Sequence, residues 1–373
     1  MNSTINSNSV PAADELEVSL FGPGFGECVV VHLGQGDWMV VDSCLNESQD
    51  QPVALDYLNS LGVDVAKKVR LVVVTHWHDD HIRGSARVFA EARSARFVCS
   101  AALRNEEFRV MVAASERNKT VARDSSLSEF GNILDELKQR KSRENRLLTG
   151  PDHWAQDGMA LFQSTGSNHA MVTALSPSAQ TITDAAIRFG KLIPSISSSV
   201  NRFPRCSPND QSVALLVQSD AYSVLLGADL ESVGDPDRGW RAVVSSPVRP
   251  QVASNAIKVA HHGSKNGDLD EIWSALLKPD SPALLTPFSS GSKPLPSEED
   301  VERLKSRTSR LFSTSYPPTR KPPRRHGAVD RTMREMTRMH RSVSRRVGHI
   351  RLRVNLVLRT APVIDTFNGA RQI

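Results

Sequence analysis

Apolar residues in this chain come mostly in short runs spaced for strands, with helical spacings set between them. Residues 17–21, 28–33 and 38–44 are apolar and β-branched, and Gly34-Gln35-Gly36-Asp37 supplies a hairpin turn between the last two. The uninterrupted Leu71-Val72-Val73-Val74 predicts a fully buried strand over 71–75. A short helix at 85–92 and a strand at 96–99 follow. From 104 to 145 the period turns helical, with Phe130, Ile133, Leu134 and Leu137 on one face, and this stretch reads as an insertion over the core. Strands resume at 171–175, 212–218, 223–226 and 256–260, and 272–277 reads as a helix. Late strands at 282–287 and 311–314 flank a helix at 298–307 that Ser297 would cap. The alternation of strands and helices over 15–316 reads as α/β (α+β), in one large domain or two medium ones, behind an unstructured Ser/Asn-rich tail at 1–14. No solenoid repeat is present, and two strand-rich halves suit a pseudo-symmetric sandwich.

The remainder, 317–373, has a different character. A Pro/Arg-rich linker leads into a candidate amphipathic helix with Val329, Met333, Met336, His340, Val343 and Val347 on one stripe. Residues 349–359 then alternate like a strand, Ile350, Leu352, Val354, Leu356 and Leu358 facing one way and Arg351, Arg353 and Arg359 the other. The net charge of +5 conceals an asymmetry: between Arg320 and Arg353 twelve Lys/Arg stand against two acids, which leaves the rest of the chain at −5. Arg334, Arg338, Arg341 and Arg345 are therefore candidates for binding nucleic-acid phosphates. No helix-turn-helix, zinc finger or aromatic RNA-binding signature accompanies them, which argues against base-specific recognition.

An apolar fraction of 39% with 23% charged residues is ordinary for a globular protein. The longest apolar runs are too short to span a bilayer, so no membrane partner is expected, although a protein partner or a homo-oligomer is compatible with the chain. The N-terminal residues have neither the basic start nor the apolar stretch of a signal peptide. Cys28, Cys44, Cys99 and Cys206 lack CxxC spacing and read as small buried hydrophobes. Cys28 and Cys44 lie on neighbouring strands where a disulfide is conceivable, but the missing signal peptide argues for a reducing, cytoplasmic setting.

The candidate chemistry begins directly after the buried strand, at His76-Trp77-His78-Asp79-Asp80-His81. Three imidazoles and a carboxylate that could bind metal crowd into six residues, and a chance H-x-H-x-D-H in this composition has odds on the order of one in a thousand. Asp42 ends the strand Met39-Val40-Val41, Asp229 follows Leu225-Leu226-Gly227-Ala228, and His261-His262-Gly263-Ser264 follows the strand at 256–260. Acids and imidazoles gathered at strand ends form a rigid metal site on an α/β scaffold. Mixed imidazole and carboxylate donors favour Zn²⁺, with Mn²⁺ or Fe²⁺ possible.

In motif order and spacing, residues 15–315 resemble the metallo-β-lactamase-fold hydrolases, and most nearly the hydrolase domain of ComEC-type DNA-uptake proteins and their soluble relatives. The carrying elements are Gly24-Phe25-Gly26-Glu27, the strand ending in Asp42, His76 to His81, Asn209-Asp210-Gln211-Ser212, Leu225 to Asp229, His261-His262-Gly263-Ser264 and Pro287-Phe288-Ser289. The resemblance implies a four-layer αββα sandwich with two divalent metals at one edge. His76 and His78 would hold one, and Asp80, His81 and His261 the other. Asp229 would bridge them and Asp42 would buttress the ligand loops. Asp80, as a ligand, and His262, as a general acid or a hydrogen-bond partner, are the candidate catalytic residues. Ser264 and Lys265 could grip a substrate phosphate or form a solvated loop. Many members carry a further histidine near 171–177, where this chain has Ser176; His169 lies nearby, but before the strand.

Three functions are compatible with these residues. The first is a phosphodiesterase or nuclease acting on DNA or RNA through a metal-bridging hydroxide. The second is a hydrolase of a small ester, lactone, thioester or cyclic nucleotide, with the 104–145 insertion as a lid. The third is a metal-bound binding module in a larger assembly.

Overall fold

Strand alternation decides the layering of the computed structural model, which describes residues 9–22, 26–104, 125–143, 152–165, 169–191, 209–289, 294–316 and 346–373, together with Phe108 and Val112. The strands are β1 (Glu15–Gly22), β2 (Cys28–His32), β3 (Trp38–Val41), β4 (Val69–Val74), β5 (Arg96–Ser100), β6 (His153–Ala155), β7 (Ala160–Gln163), β8 (Met171–Ala174), β9 (Leu215–Gln218), β10 (Ser223–Leu226), β11 (Ala256–Lys258), β12 (Ala283–Leu285), β13 (Leu311–Ser313), β14 (Gly348–Asn355), β15 (Val363–Phe367) and β16 (Arg371–Gln372). They form two eight-stranded sheets, ordered β15-β14-β1-β2-β3-β4-β5-β6 and β16-β13-β12-β11-β10-β9-β8-β7. Val29, Val31, Met39, Val41, Leu71 and Val73 face Val172, Leu215, Val217, Val224 and Leu226 between the sheets. Their sequence neighbours Cys28, Val30, Val40, Val72 and Val74 turn to an outer apolar layer.

Helices cover both outer faces. On the first sheet lie α1 (Val53–Ser60), α2 (Val65–Lys68), α3 (Asp79–Ile82), α4 (Ser85–Glu91), α5 (Ser125–Arg143) and α6 (Ala179–Gly190), whose Leu55, Leu58, Phe89, Phe130, Ile133 and Phe189 share that outer layer. On the second sheet, α7 (Gly239–Ser245) and α8 (Glu298–Arg307) bring Trp240, Val243 and Leu304 onto Leu216, Leu225, Ile257 and Leu285. The result is the αββα sandwich. Ser297 caps α8 as expected: its Oγ accepts from the Asp300 N–H at 3.1 Å while the Asp300 carboxylate accepts from the Ser297 N–H at 3.0 Å. The short helices α1, α2, α6 and α7 carry too few apolar turns to announce themselves; α6 buries only Thr181, Ala185 and Phe189.

Two features at the C-terminal side differ from the plain reading of the sequence. The closing strand lies within the body of the sandwich, because β14 pairs with β1 along its whole length, from Glu15↔Asn355 to Gly22↔Gly348. Its arginines alternate as expected, yet Arg351 and Arg353 do not face open solvent. Arg351 is fully buried and bonds Asp365 at 2.7 Å, and Arg353 bonds the buried Glu17 at 2.5 Å. Tyr57 of α1 donates to the same Glu17, and Ser19 does so at 2.8 Å. Cys28, Cys44 and Cys99 are buried free thiols; Cys206 and the stripe from Val329 to Val343 lie outside the described residues. Among the described residues no helix is long and apolar enough to cross a membrane.

Two paired glycines stand where the sheets come close. A Cβ on Gly348 would lie 1.6 Å from the Thr314 carbonyl oxygen, and one on its partner Gly22 would lie 2.1 Å from Thr286 Cγ2. Gly348→Ala should therefore cost about 3 kcal/mol or more of unfolding free energy in urea. Gly190→Ala, with open space around it, should gain about 0.5 kcal/mol in the same measurement. A loss of under 1 kcal/mol at Gly348 would show that the strands can part freely.

Burial also sets an acid limit. It holds His349 down to about 3 and His32 down to about 4, against the ordinary 6.5. The unfolded chain therefore takes up these protons first. Stability should be full above pH 6.5 and fall by about 1.4 kcal/mol per pH unit for each histidine as the pH drops towards 4 and 3. Urea midpoints across that window should shift less in His349→Gln.

Candidate metal centre

Four strand ends converge on one edge of the sandwich. In the first sheet β3 and β4 run parallel, so Asp42 and the segment His76 to His81 leave at the same side. In the second, β10 and β11 run parallel and deliver Asp229 and His261-His262. The turns that carry these residues use left-handed backbone: φ is 57° at Asp42, 46° at Ala228, 46° at His261 and 52° at His262. Non-glycine residues held there cost on the order of 1–3 kcal/mol each, and such strain gathers where side chains must be aimed.

Asp42 organises the first sheet's contribution. One oxygen accepts the Thr75 N–H at 2.8 Å; the other accepts the Thr75 hydroxyl at 2.7 Å and His81 Nδ1 at 2.8 Å. With its own proton given to Asp42, the Thr75 oxygen is left to accept from His76 Nδ1, 3.0 Å away. Both imidazoles are thereby fixed with Nε2 turned to the centre. On the second sheet His262 Nδ1 donates to the Thr286 carbonyl at 3.0 Å, its ring stacks on Phe288 at 5.1 Å, and its Nε2 also faces the centre.

Two overlapping donor sets result. His262 Nε2 lies 3.2 Å from Asp80 Oδ2 and 3.6 Å from Asp229 Oδ2, and His81 Nε2 lies 3.3 Å from Asp229 Oδ1 and 3.7 Å from Asp80 Oδ2. A tetrahedral ion with about 2.0–2.1 Å bonds spaces its donors about 3.3–3.4 Å apart, so the facing atoms of these four residues suit one. Beside them, His76 Nε2 stands 3.2 Å from His78 Nδ1 and 3.9 Å from Asp229 Oδ2. Buried His81 Nε2 and Asp229 Oδ1 have no hydrogen-bond partner among the described residues. Such orphaned atoms facing one another are what a bound cation would satisfy.

The place that the resemblance gives to His261 is taken by its neighbour His262. The His261 ring turns outward, its Nε2 accepting from the Asn209 amide at 3.1 Å and its Nδ1 lying 3.3 Å from Glu231. Ser264 accepts from the Asn266 N–H and Lys265 is exposed, so neither enters the cluster. Trp77 packs on Phe108 in the outer layer, and Asp79 is exposed. Gly24, Phe25, Arg334, Arg338, Arg341 and Arg345 lie outside the described residues.

Thr75, Glu27 and Lys258 are further members. Glu27 groups with His81, Asp229 and His262, and forms a buried ion pair with Lys258, whose Nζ also donates to the Ala228 carbonyl at 3.0 Å. A lysine within the apolar Ala256-Ile257-Lys258-Val259-Ala260 is the sequence signal for such a partner.

Charge balance in the cluster follows from burial and proximity. Burial lowers the pKa of His76, helped by the neighbouring His81 and His78, and burial likewise lowers that of His78. Burial also opposes charge on His81, but the carboxylates of Asp229, Asp80 and Asp42 outweigh it and raise the pKa well above the usual histidine range. His262 is raised too, against burial, by Asp229 and by its bond to Asp80. Burial raises Asp80 and Asp229, yet the facing His81 and His262 hold both below the carboxylate range. The centre is built to carry positive charge.

Residues 21–162 match the family model described as the metallo-beta-lactamase superfamily. Among solved structures, the chain is similar to the metallo-beta-lactamase fold protein YhfI from Bacillus subtilis, at 11% identity and a TM-score of 0.37, over 80% of this chain and 96% of that one. It is also similar to a Thermotoga maritima protein assigned to the metallo-beta-lactamases, at 13% identity and a TM-score of 0.29, over 56% of this chain and 68% of that one. None of the curated proteins matches. With two eight-stranded sheets between helical layers and a family match across the strands that carry Asp42 and His76 to His81, the chain has the metallo-β-lactamase superfamily fold.

Proposed function

We propose that this protein is a metal-dependent hydrolase that cleaves phosphodiesters, with DNA or RNA as its substrate class. The observation that carries the hydrolytic reading is the pair of buried donor sets sharing Asp229. Two divalent cations held there, Zn²⁺ favoured by the donors and Mn²⁺ possible, would supply the Lewis acidity for hydrolysis. The chain's own residues do the rest. Asp42 orients His81 directly and His76 through Thr75. The Nδ1 proton of His262 is committed to Thr286, which supports a ligand's role over that of a proton donor. Glu27 and Lys258 close the floor beneath the cluster.

The choice of a polyanion rests on the basic stretch. Of its twelve Lys/Arg, Arg351 and Arg353 bond acids inside the fold, and the other ten are the candidates for phosphate contacts. Within the 104–145 insertion, α5 packs Phe130 against Phe97 and Phe108 as part of the outer layer, which favours a structural role for that helix over the role of a lid.

Activity on bis(p-nitrophenyl) phosphate, single- and double-stranded DNA and RNA, assayed with Zn²⁺, Mn²⁺ and Mg²⁺, should disappear with EDTA and return with metal. His78→Ala and Asp229→Asn should each lower kcat/KM by at least about a hundredfold. Hydrolysis that survives EDTA would sink the reading, and turnover confined to small esters would overturn the substrate class. Arg338, Arg341 and Arg345 together changed to Ala should reduce the slope of log K against log salt for duplex DNA by about three. An unchanged slope would remove the basic segment from the interface.

A further inference from the structure

The two donor sets are unequal. One offers donors from four residues, Asp80, His81, His262 and Asp229, whose facing atoms lie 3.2–3.7 Å apart along the measured pairs. The other offers three, from His76, His78 and Asp229, and its carboxylate oxygen is already 3.6 Å from His262. Among the described residues no further imidazole or carboxylate groups with His76 and His78.

The residue at the end of β8, from which another donor could come, is committed elsewhere. Ser176 Oγ donates to the Ser212 carbonyl at 2.6 Å and accepts from the Ala214 N–H at 2.8 Å, tying its turn to the segment before β9. His169 precedes β8, is exposed, and faces Asp220 at 3.4 Å. Each set has one partly buried member, His78 in the three-donor set and Asp80 in the four-donor set, while His76, His81, His262 and Asp229 are fully buried.

Resting on the reading that this centre holds divalent cations, we propose that it binds them with unequal affinity. Asp80, His81, His262 and Asp229 hold the first tightly. His76, His78 and Asp229 hold the second loosely, and an anionic oxygen of the substrate completes its coordination. Substrate and second cation then bind cooperatively, and each tightens the other by the same factor. Losing even an outer partner of a ligand costs about 10- to 100-fold in metal affinity, so a missing donor should separate the two constants by at least about a hundredfold.

The test is a titration of the metal-free full-length protein with Co²⁺, followed by calorimetry and by visible absorption. Two events should appear, separated by at least about a hundredfold in Kd. Phenylphosphonate, an uncleavable anion, should tighten only the weaker event, by at least about tenfold. His78→Ala should abolish the weaker event and leave the tighter one within about threefold, whereas His262→Ala should weaken the tighter one by at least about a hundredfold. Circular dichroism checks folding, and Asp80→Asn replaces His262→Ala if that chain does not fold. Two equal events, or loss of the tighter event in His78→Ala, would overturn the proposal, and an unmoved weaker event would remove the substrate from it. Absence of any binding to the unaltered protein would overturn the metal reading itself.

Discussion

The centre depends on the carboxylate of Asp42. Its two oxygens take three protons, from the Thr75 amide, the Thr75 hydroxyl and His81, and so tie the end of β3 to the end of β4. Through those bonds one buried acid reaches both donor sets, His81 directly and His76 by way of Thr75. Charge-assisted bonds of this kind are about twice as strong as neutral ones, and a buried donor left without its acceptor costs about 1–3 kcal/mol. The left-handed backbone at Asp42 is the counterpart of that arrangement, because an extended residue there would send the carboxylate elsewhere.

A second constraint is electrostatic. Glu27, Asp42, Asp80 and Asp229 gather within one buried edge, and Lys258 is the one fixed cation bonded there among the described residues. Buried anions in such number require compensating positive charge. The carboxylates raise the pKa of His81 and His262 against the effect of burial. A cation that enters competes with protons for these imidazoles, which couples metal affinity to pH.

Much of this was legible in the chain. Runs of β-branched residues located most strands to within a few positions, and the H-x-H-x-D-H spacing located the first sheet's ligands. What the pattern could not resolve was orientation. In the doublet His261-His262 the two residues are chemically identical, and only successive positive φ angles decide which ring turns inward. The arginines of β14 alternate as a polar face should, but α1 covers that face and supplies Tyr57 to Glu17. The pairing of Glu27 with Lys258 escaped for a related reason: each is a single charge in an apolar context, and neither names its partner without the fold.

The pairing of β14 with β1 joins residues such as Glu17 and Arg353, 336 positions apart along the chain. Every strand that delivers a candidate ligand is translated before β14 exists. During synthesis β1 therefore presents an unpaired edge, the kind of surface that invites wrong partners, while the rest of both sheets can already form. Long-range closure of this kind is slow, because the loop entropy is lost before the contact is gained. The edge of β1 is thus completed only by the last long strand of the two sheets, made after every segment that carries a candidate ligand.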